Sequence, residues 1–318
     1  MKAKSISGNS SFFLELGYFI NTMTLNKDFI TNDLIINNII SSSTIYQGTN
    51  LWRILEISDK SVNHNLKGKE FMLFEGYLMR YISQYLYINK ESNVIDKKIA
   101  IKTFFKWYYR SVEMYGDASL LFGSRLHMAS HWATIAVYSL DIANEKEKVV
   151  LEDFIKEFDL QVRDNLKTVY VNEHECYIWN STYYSQFTKL LKERKKDIKL
   201  QDVSHGNHII QYVLDCYELG LKSWLIDDLR VFRNTLKYII WQNPNRAKDF
   251  LYYSDNRELG TGWKQSDGWM KLMIVLKDNE LYDIYNSFYK NNSIKIDKNY
   301  PNIQFYINMV KFRENSKL

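Results

Sequence analysis

The chain has 318 residues, of which 46% are hydrophobic, 15% aromatic and 25% charged, a composition that gives a globular protein ample core. Its net charge of +5, from 42 basic and 37 acidic residues, favours an acidic substrate but is too slight to mark a nucleic-acid binder. No Lys/Arg block is interleaved with aromatics as a groove binder needs, and Lys192-Glu193-Arg194-Lys195-Lys196 reads as a solvated loop edge.

The two cysteines, Cys176 and Cys216, match no zinc spacing and read as buried free thiols, although an oxidising compartment would let them pair. The first thirty residues hold no uninterrupted apolar stretch of the signal type, and no later run approaches membrane-spanning length. The reading is therefore a cytoplasmic protein, or a periplasmic or secreted form relieved of its export signal. Two prolines and twelve glycines leave little material for the turns of a sandwich or barrel, and the glycine-rich phosphate loops are absent.

Met1 to about Asn50 is Ser/Asn/Thr/Ile-rich and reads as a less regular segment with a first helix over Phe12–Met23 and weaker helical pieces after it. Leu51–Ile57 suggests a short helix. Glu70–Tyr87 is a strong one, with Phe71, Phe74, Leu78, Tyr81, Ile82 and Tyr85 at helical spacing. Helices follow at Lys97–Met114, Met128–Asp141 and Lys146–Tyr170. Glu173–Asn180 reads as loop and Ser181–Leu191 as helix. Gly206–Leu219 and Lys222–Trp241 are paired across Gly220, with Pro244 beyond. A Gly/Asp/Trp-rich loop, Leu251–Gly268, leads into Trp269–Leu276, and Tyr282–Tyr289 and Ile303–Val310 complete the chain.

Helix openings near Glu70, Met128, Ser181, Gly206 and Trp269 suggest repeating helix pairs, so the expected fold is all-α, a single domain over 1–318. An α/α toroid and an open superhelix of helix pairs both fit. The toroid is preferred because loops ahead of the opening helices are rich in Trp, Tyr, His and Asp, while connections within pairs are plain.

Four clusters could carry chemistry. Gln201–Gly220 places Asp202, Ser204, His205, Asn207 and His208 at the mouth of a helix, where free N–H groups suit an anionic ligand. Gly123–Trp132 holds Arg125, His127, His131 and Trp132. A zinc protease would need glutamate directly after His127, where Met128 stands, so no metal or cofactor is expected. Tyr177–Tyr184 offers Trp179, Asn180, Tyr183 and Tyr184, residue types that stack on sugar rings and bond hydroxyls but equally fill a core. Gly260–Trp269 contains Trp263, Lys264, Asp267 and Trp269; Ser266 or Asp267 is placed to cap the final strong helix. Glu75, amid Phe71, Phe74, Tyr77 and Leu78, is either an acid of raised pKa, a partner of Arg80 or a solvent-facing carboxylate.

The segment Arg-Leu-x-x-x-Ser-His-Trp-Ala, Arg125–Ala133, resembles the active-site segment of alginate-lyase-like α/α-toroid polysaccharide lyases. It departs from that family's pattern where Ser130, rather than asparagine, precedes His131; Asn180 or Asn207 would have to stand in. Asp-x-Ser-His-Gly, Asp202–Gly206, also resembles segments of six-hairpin proteins related to glycosidases. The resemblance implies His131 as the active-site histidine, Arg125 at a uronate carboxylate and a tyrosine as acid.

The expected function is β-elimination on an acidic polysaccharide. Arg125 with Asn180 or Asn207 would neutralise the carboxylate, His131 or His205 act as base and Tyr183 or Tyr184 as acid, with Trp132, Trp179, Trp263 and Trp269 holding sugars. A glycoside hydrolase using Glu75, Asp202 and Asp267 is the alternative on the same fold. A non-catalytic scaffold binding a glycan or protein is the third reading.

Overall fold

The computed structural model describes residues 10–46, 49–52, 69–123, 125–182, 200–243, 246–247, 251, 266–291 and 300–315. These are predominantly helical, as the periodicity predicts, with three two-stranded antiparallel ladders among them. No described helix is long and apolar enough to cross a membrane. Contacts divide the chain into two compact units, Met1–Leu121 with His131–Ile155, and Phe122–Ser130 with Lys156–Leu318.

The first unit opens with α1 (Ser10–Leu25) and α2 (Phe29–Ser41), a regular helix where the sequence suggests weaker pieces. Asp28 caps α2 by accepting from the Thr31 amide at 3.1 Å, and the Asn32 amide ties α2 to α1 through the Ile20 carbonyl and Thr24 hydroxyl. Thr44–Tyr46 (β1) pairs with Thr49–Leu51 (β2), so Leu51 is strand rather than helix, and 53–57 lie outside the described residues.

The centre of this unit is α3 (Met72–Ile88), buried nearly all round, which is the pattern of a helix enclosed by others. α1 packs on it at Gly17, where any Cβ would collide with the Tyr81 ring. α4 (Ile99–Tyr115) packs on α3 as well and ends at Gly116, whose φ of 80° is the left-handed conformation a helix stop favours. Next come the short α5 (Ser119–Phe122) and α6 (Leu126–Ser139), which a 3₁₀ turn extends over Leu140–Ile142. Trp132 of α6 is 1% exposed, set against Gly76 and Phe104.

Glu75 lies in this core. Lys106 meets its carboxylate at 2.7 Å, and the Trp107 indole donates to it at 2.7 Å. The expected partner was Arg80; instead Arg80 places Nη1 3.4 Å from Nδ1 of His131, whose ring meets Tyr77 edge-on. Burial raises the Glu75 pKa against the pull of Lys106.

The expected helix Lys146–Tyr170 is α7 (Glu145–Asn165), which stops early because Lys167–Val171 forms β3. β3 pairs with His174–Ile178 (β4), a stretch expected to be loop. The turn between them puts Asn172 and Glu173 at φ of 48° and 67°, the left-handed pair a two-residue hairpin requires. In the second unit β4 packs on α9 (Ile226–Asn234), and a π-helical turn over Thr235–Ile240 carries the chain into β5 (Trp241–Asn243), paired with β6 (Arg246–Ala247). The expected helix Lys222–Trp241 is thus helical over 226–240, beginning four residues late and widening to π-helical hydrogen bonding from Thr235. Asp228 takes a structural place at the start of α9, accepting from the Leu225 amide and pairing with Arg163.

The core of the second unit forms around α8 (Val203–Glu218), α10 (Asp267–Leu276), α11 (Asn279–Asn291) and α12 (Tyr300–Asn315). α8 is buried along most of its length, and Tyr212 on it joins Trp224 in hydrogen-bonding Asp159. Cys176 and Cys216 are both free and buried.

A histidine-carboxylate pair at a helix mouth

The chain enters α8 through a lattice of backbone bonds. The Gln201 amide donates to the Trp179 carbonyl at 2.8 Å, Asn180 bridges Leu200, Arg125 bridges Thr182, and the Leu251 amide donates to the Gln201 carbonyl. This fixes Asp202 in extended conformation at the N-cap of α8. Its carboxylate there accepts from the His205 amide at 2.9 Å and the Ser204 hydroxyl at 2.6 Å, satisfying donors that a helix start leaves open. Gln201 Nε2 adds a third donor at 3.1 Å.

The same carboxylate holds the His205 ring: Nδ1 lies 2.8 Å from both oxygens. A carboxylate can only accept, so Nδ1 carries the proton and the neutral imidazole has its lone pair on Nε2. The His205 side chain is 46% exposed, so the ring is accessible from solvent. Burial works against ionisation of Asp202, but the bonds and charge of His205, with the Ser204 hydroxyl, outweigh it and hold the carboxyl well below the usual range.

Behind His205 stands His127, in the first turn of α6, its ring centroid 4.2 Å from that of His205. It is 4% exposed, and its Nδ1 has no hydrogen-bond partner among the described residues. Burial first, then the charges of His205 and Arg125, push its pKa well below 6.5 against the opposing charge of Asp202, so the ring stays neutral. The sequence groups His127 with His131 in one cluster and assigns it no step of the expected reaction. The i, i+4 spacing points to His131 as its neighbour, whereas the ring against it, tilted by 41°, comes from α8.

The other expected site residues fall into three groups. Some are structural. Asn207, expected at a substrate carboxylate, is wholly buried, and its Oδ1 accepts from the amides of Gly268 and Trp269, capping α10 from a different helix. Trp132, Trp179 and Trp269, expected as sugar platforms, are each at most 1% exposed. Trp179 and Trp269 stack on each other at 5.8 Å, and the Trp269 indole bonds the Val203 carbonyl, so neither ring offers a face to a ligand. Glu75, the expected acid of a hydrolase, has both oxygens engaged within its own unit. His131 is fully buried in that unit too.

A second group remains near the histidine pair. Arg125 is exposed and close enough to act electrostatically on His127, while Asn180 is half-buried, its carbonyl accepting from the Asn165 amide. His208 is buried on α8. The third group, Tyr183, Tyr184, Trp263 and Lys264, lies outside the described residues, and Asp267 is the first residue of α10.

Among the described residues, no three His, Cys, Asp or Glu side chains converge as metal ligands. The arrangement is suited to moving a proton: an oriented, accessible imidazole backed by an ionised carboxylate and a neutral second ring, with a guanidinium close by. Comparison with protein-family models, curated proteins and solved structures gave no match.

Proposed function

We propose that the protein is an acid–base catalyst in which His205 is the base, and that its reaction is β-elimination on an acidic, uronate-containing saccharide. The observation that carries this reading is the contact of both Asp202 oxygens with Nδ1 of His205, which leaves Nε2 as an accessible, correctly protonated acceptor. Nε2 takes the proton next to the uronate carboxylate, and the Arg125 guanidinium stabilises the charge that develops on that carboxylate. Tyr183 or Tyr184 returns a proton to the departing oxygen. The helix pairs of an α/α toroid belong to the same proposal. Its support is that neighbours in sequence pack on each other in α1 with α2, α3 with α4, α8 with α9, and α10 with α11.

A non-catalytic scaffold is the second reading, favoured by the capping roles of Asp202 and Asn207 and the burial of three tryptophans. Incubation with polyuronates, followed by ultraviolet absorbance of the unsaturated product, separates the two. Product that depends on His205, and disappears in His205→Ala without a fall in thermal stability, supports elimination. An active His205→Ala, or no product from any acidic polysaccharide, overturns it.

A further inference from the structure

The first unit holds a cleft of about 70 Å³ that the proposed chemistry does not use. It lies where the last turn of α3, the first turn of α4 and the end of α6 with its 3₁₀ extension meet. Leu86, Ala100 and Ile142 give it an aliphatic wall, flanked by the rings of Tyr87 and Tyr138.

Two features set it apart from a packing defect. Ser139 lines the cleft and is 1% exposed, and its hydroxyl has no hydrogen-bond partner among the described residues. A buried hydroxyl in that condition is destabilising, so an occupant that bonds it is favoured. Two exposed lysines also line the cleft. Lys90 is neutralised by Asp141 at 3.0 Å and lies over the Tyr87 ring, whereas Lys97 donates to the Lys90 carbonyl and, among the described residues, pairs with no carboxylate. One uncompensated positive charge therefore stands at an otherwise apolar cleft.

The size limits the occupant. An apolar cavity of about 150 Å³ takes a benzene ring, so this cleft matches a chain of roughly three or four carbons. We infer that the cleft is a binding site for a short-chain aliphatic monocarboxylate. The alkyl chain lies against Leu86, Ala100 and Ile142, and the carboxylate pairs with Lys97 and accepts from the Ser139 hydroxyl.

Isothermal titration of the full chain with sodium butyrate, and separately with neutral butyramide, tests this. Butyrate is expected to bind about tenfold or more tightly than butyramide. Lys97→Glu, a change at an exposed position, is expected to weaken butyrate at least about tenfold, Ser139→Ala about threefold, and Ala100→Leu to fill the cleft and abolish binding. Should Ala100→Leu fail to fold, Lys97→Glu and Ser139→Ala decide. Absence of binding heat with millimolar butyrate, equal affinity for butyramide, or unchanged affinity in Lys97→Glu would each overturn the assignment.

Discussion

Asp202→Asn tests the catalytic reading with little disturbance to the fold. Asparagine and aspartate are equivalent helix caps, and Oδ1 can keep its bonds to the His205 amide and the Ser204 hydroxyl. The change falls on the second oxygen. An amide nitrogen there sets a donor against His205 Nδ1 in place of one of its two acceptors, which favours the tautomer with the ring proton on Nε2 over the one held by Oδ1 alone. The same nitrogen opposes the Gln201 donor at 3.1 Å, which costs about 1 kcal/mol. The base is thereby lost through its tautomer while its position is kept. In histidine-carboxylate pairs that loss is about 10³- to 10⁴-fold in turnover, or about 4–5.5 kcal/mol of transition-state stabilisation. Unfolding in urea should show a stability loss of no more than about 1.5 kcal/mol. Elimination kinetics on a polyuronate give kcat and KM, and kcat should carry the effect. A fall in kcat below tenfold, with a soundly folded variant, would refute the reasoning.

Gly268→Ala should destabilise the protein by about 2 kcal/mol in urea unfolding, although helix propensity alone favours alanine by about 1 kcal/mol. The new Cβ would strike the Asn207 backbone carbonyl and come 2.7 Å from its Oδ1, and a variant as stable as wild type would show that the contact is loose. Lys106→Met should cost about 3 kcal/mol because it strands the Glu75 carboxylate in the core; adding Glu75→Gln should recover part of the loss, and no recovery would disprove the pairing. His127 predicts a pH effect. Its folded pKa lies well below the unfolded 6.5, so the unfolded chain binds the extra proton, and stability is complete above pH 6.5 and declines as the pH falls below it. The slope is at most about 1.4 kcal/mol per pH unit. Wild type should therefore lose more stability than His127→Gln on acidification, and equal losses would contradict the assignment.

Helix positions were readable wherever burial is one-sided or complete over several turns. Phe74, Leu78, Ile82 and Tyr85 mark α3, and the reading errs there by only a residue or two. The hairpin at β3 and β4 was missed because the helical run before it was carried on to Tyr170. The alternation Thr168, Val169, Tyr170, Val171 and the turn at Asn172-Glu173 were the signals that should have stopped it. At the site, Asp202 and His205 were legible because a cap and its ring contact lie within three residues. The contact of the His127 ring with that of His205 depends on tertiary packing, which no local spacing encodes. Tryptophan content likewise cannot distinguish an exposed ring from Trp179 stacked on Trp269.

The start of a helix is ordinarily where it frays, since its leading amides answer only to water or to a side chain next door. In α10 the amides of Gly268 and Trp269 are held by Asn207, 61 and 62 residues earlier, and the Trp269 indole is anchored on the first residue of α8. α10 cannot unwind from that end unless α8 releases it, so the two helices open as one cooperative unit.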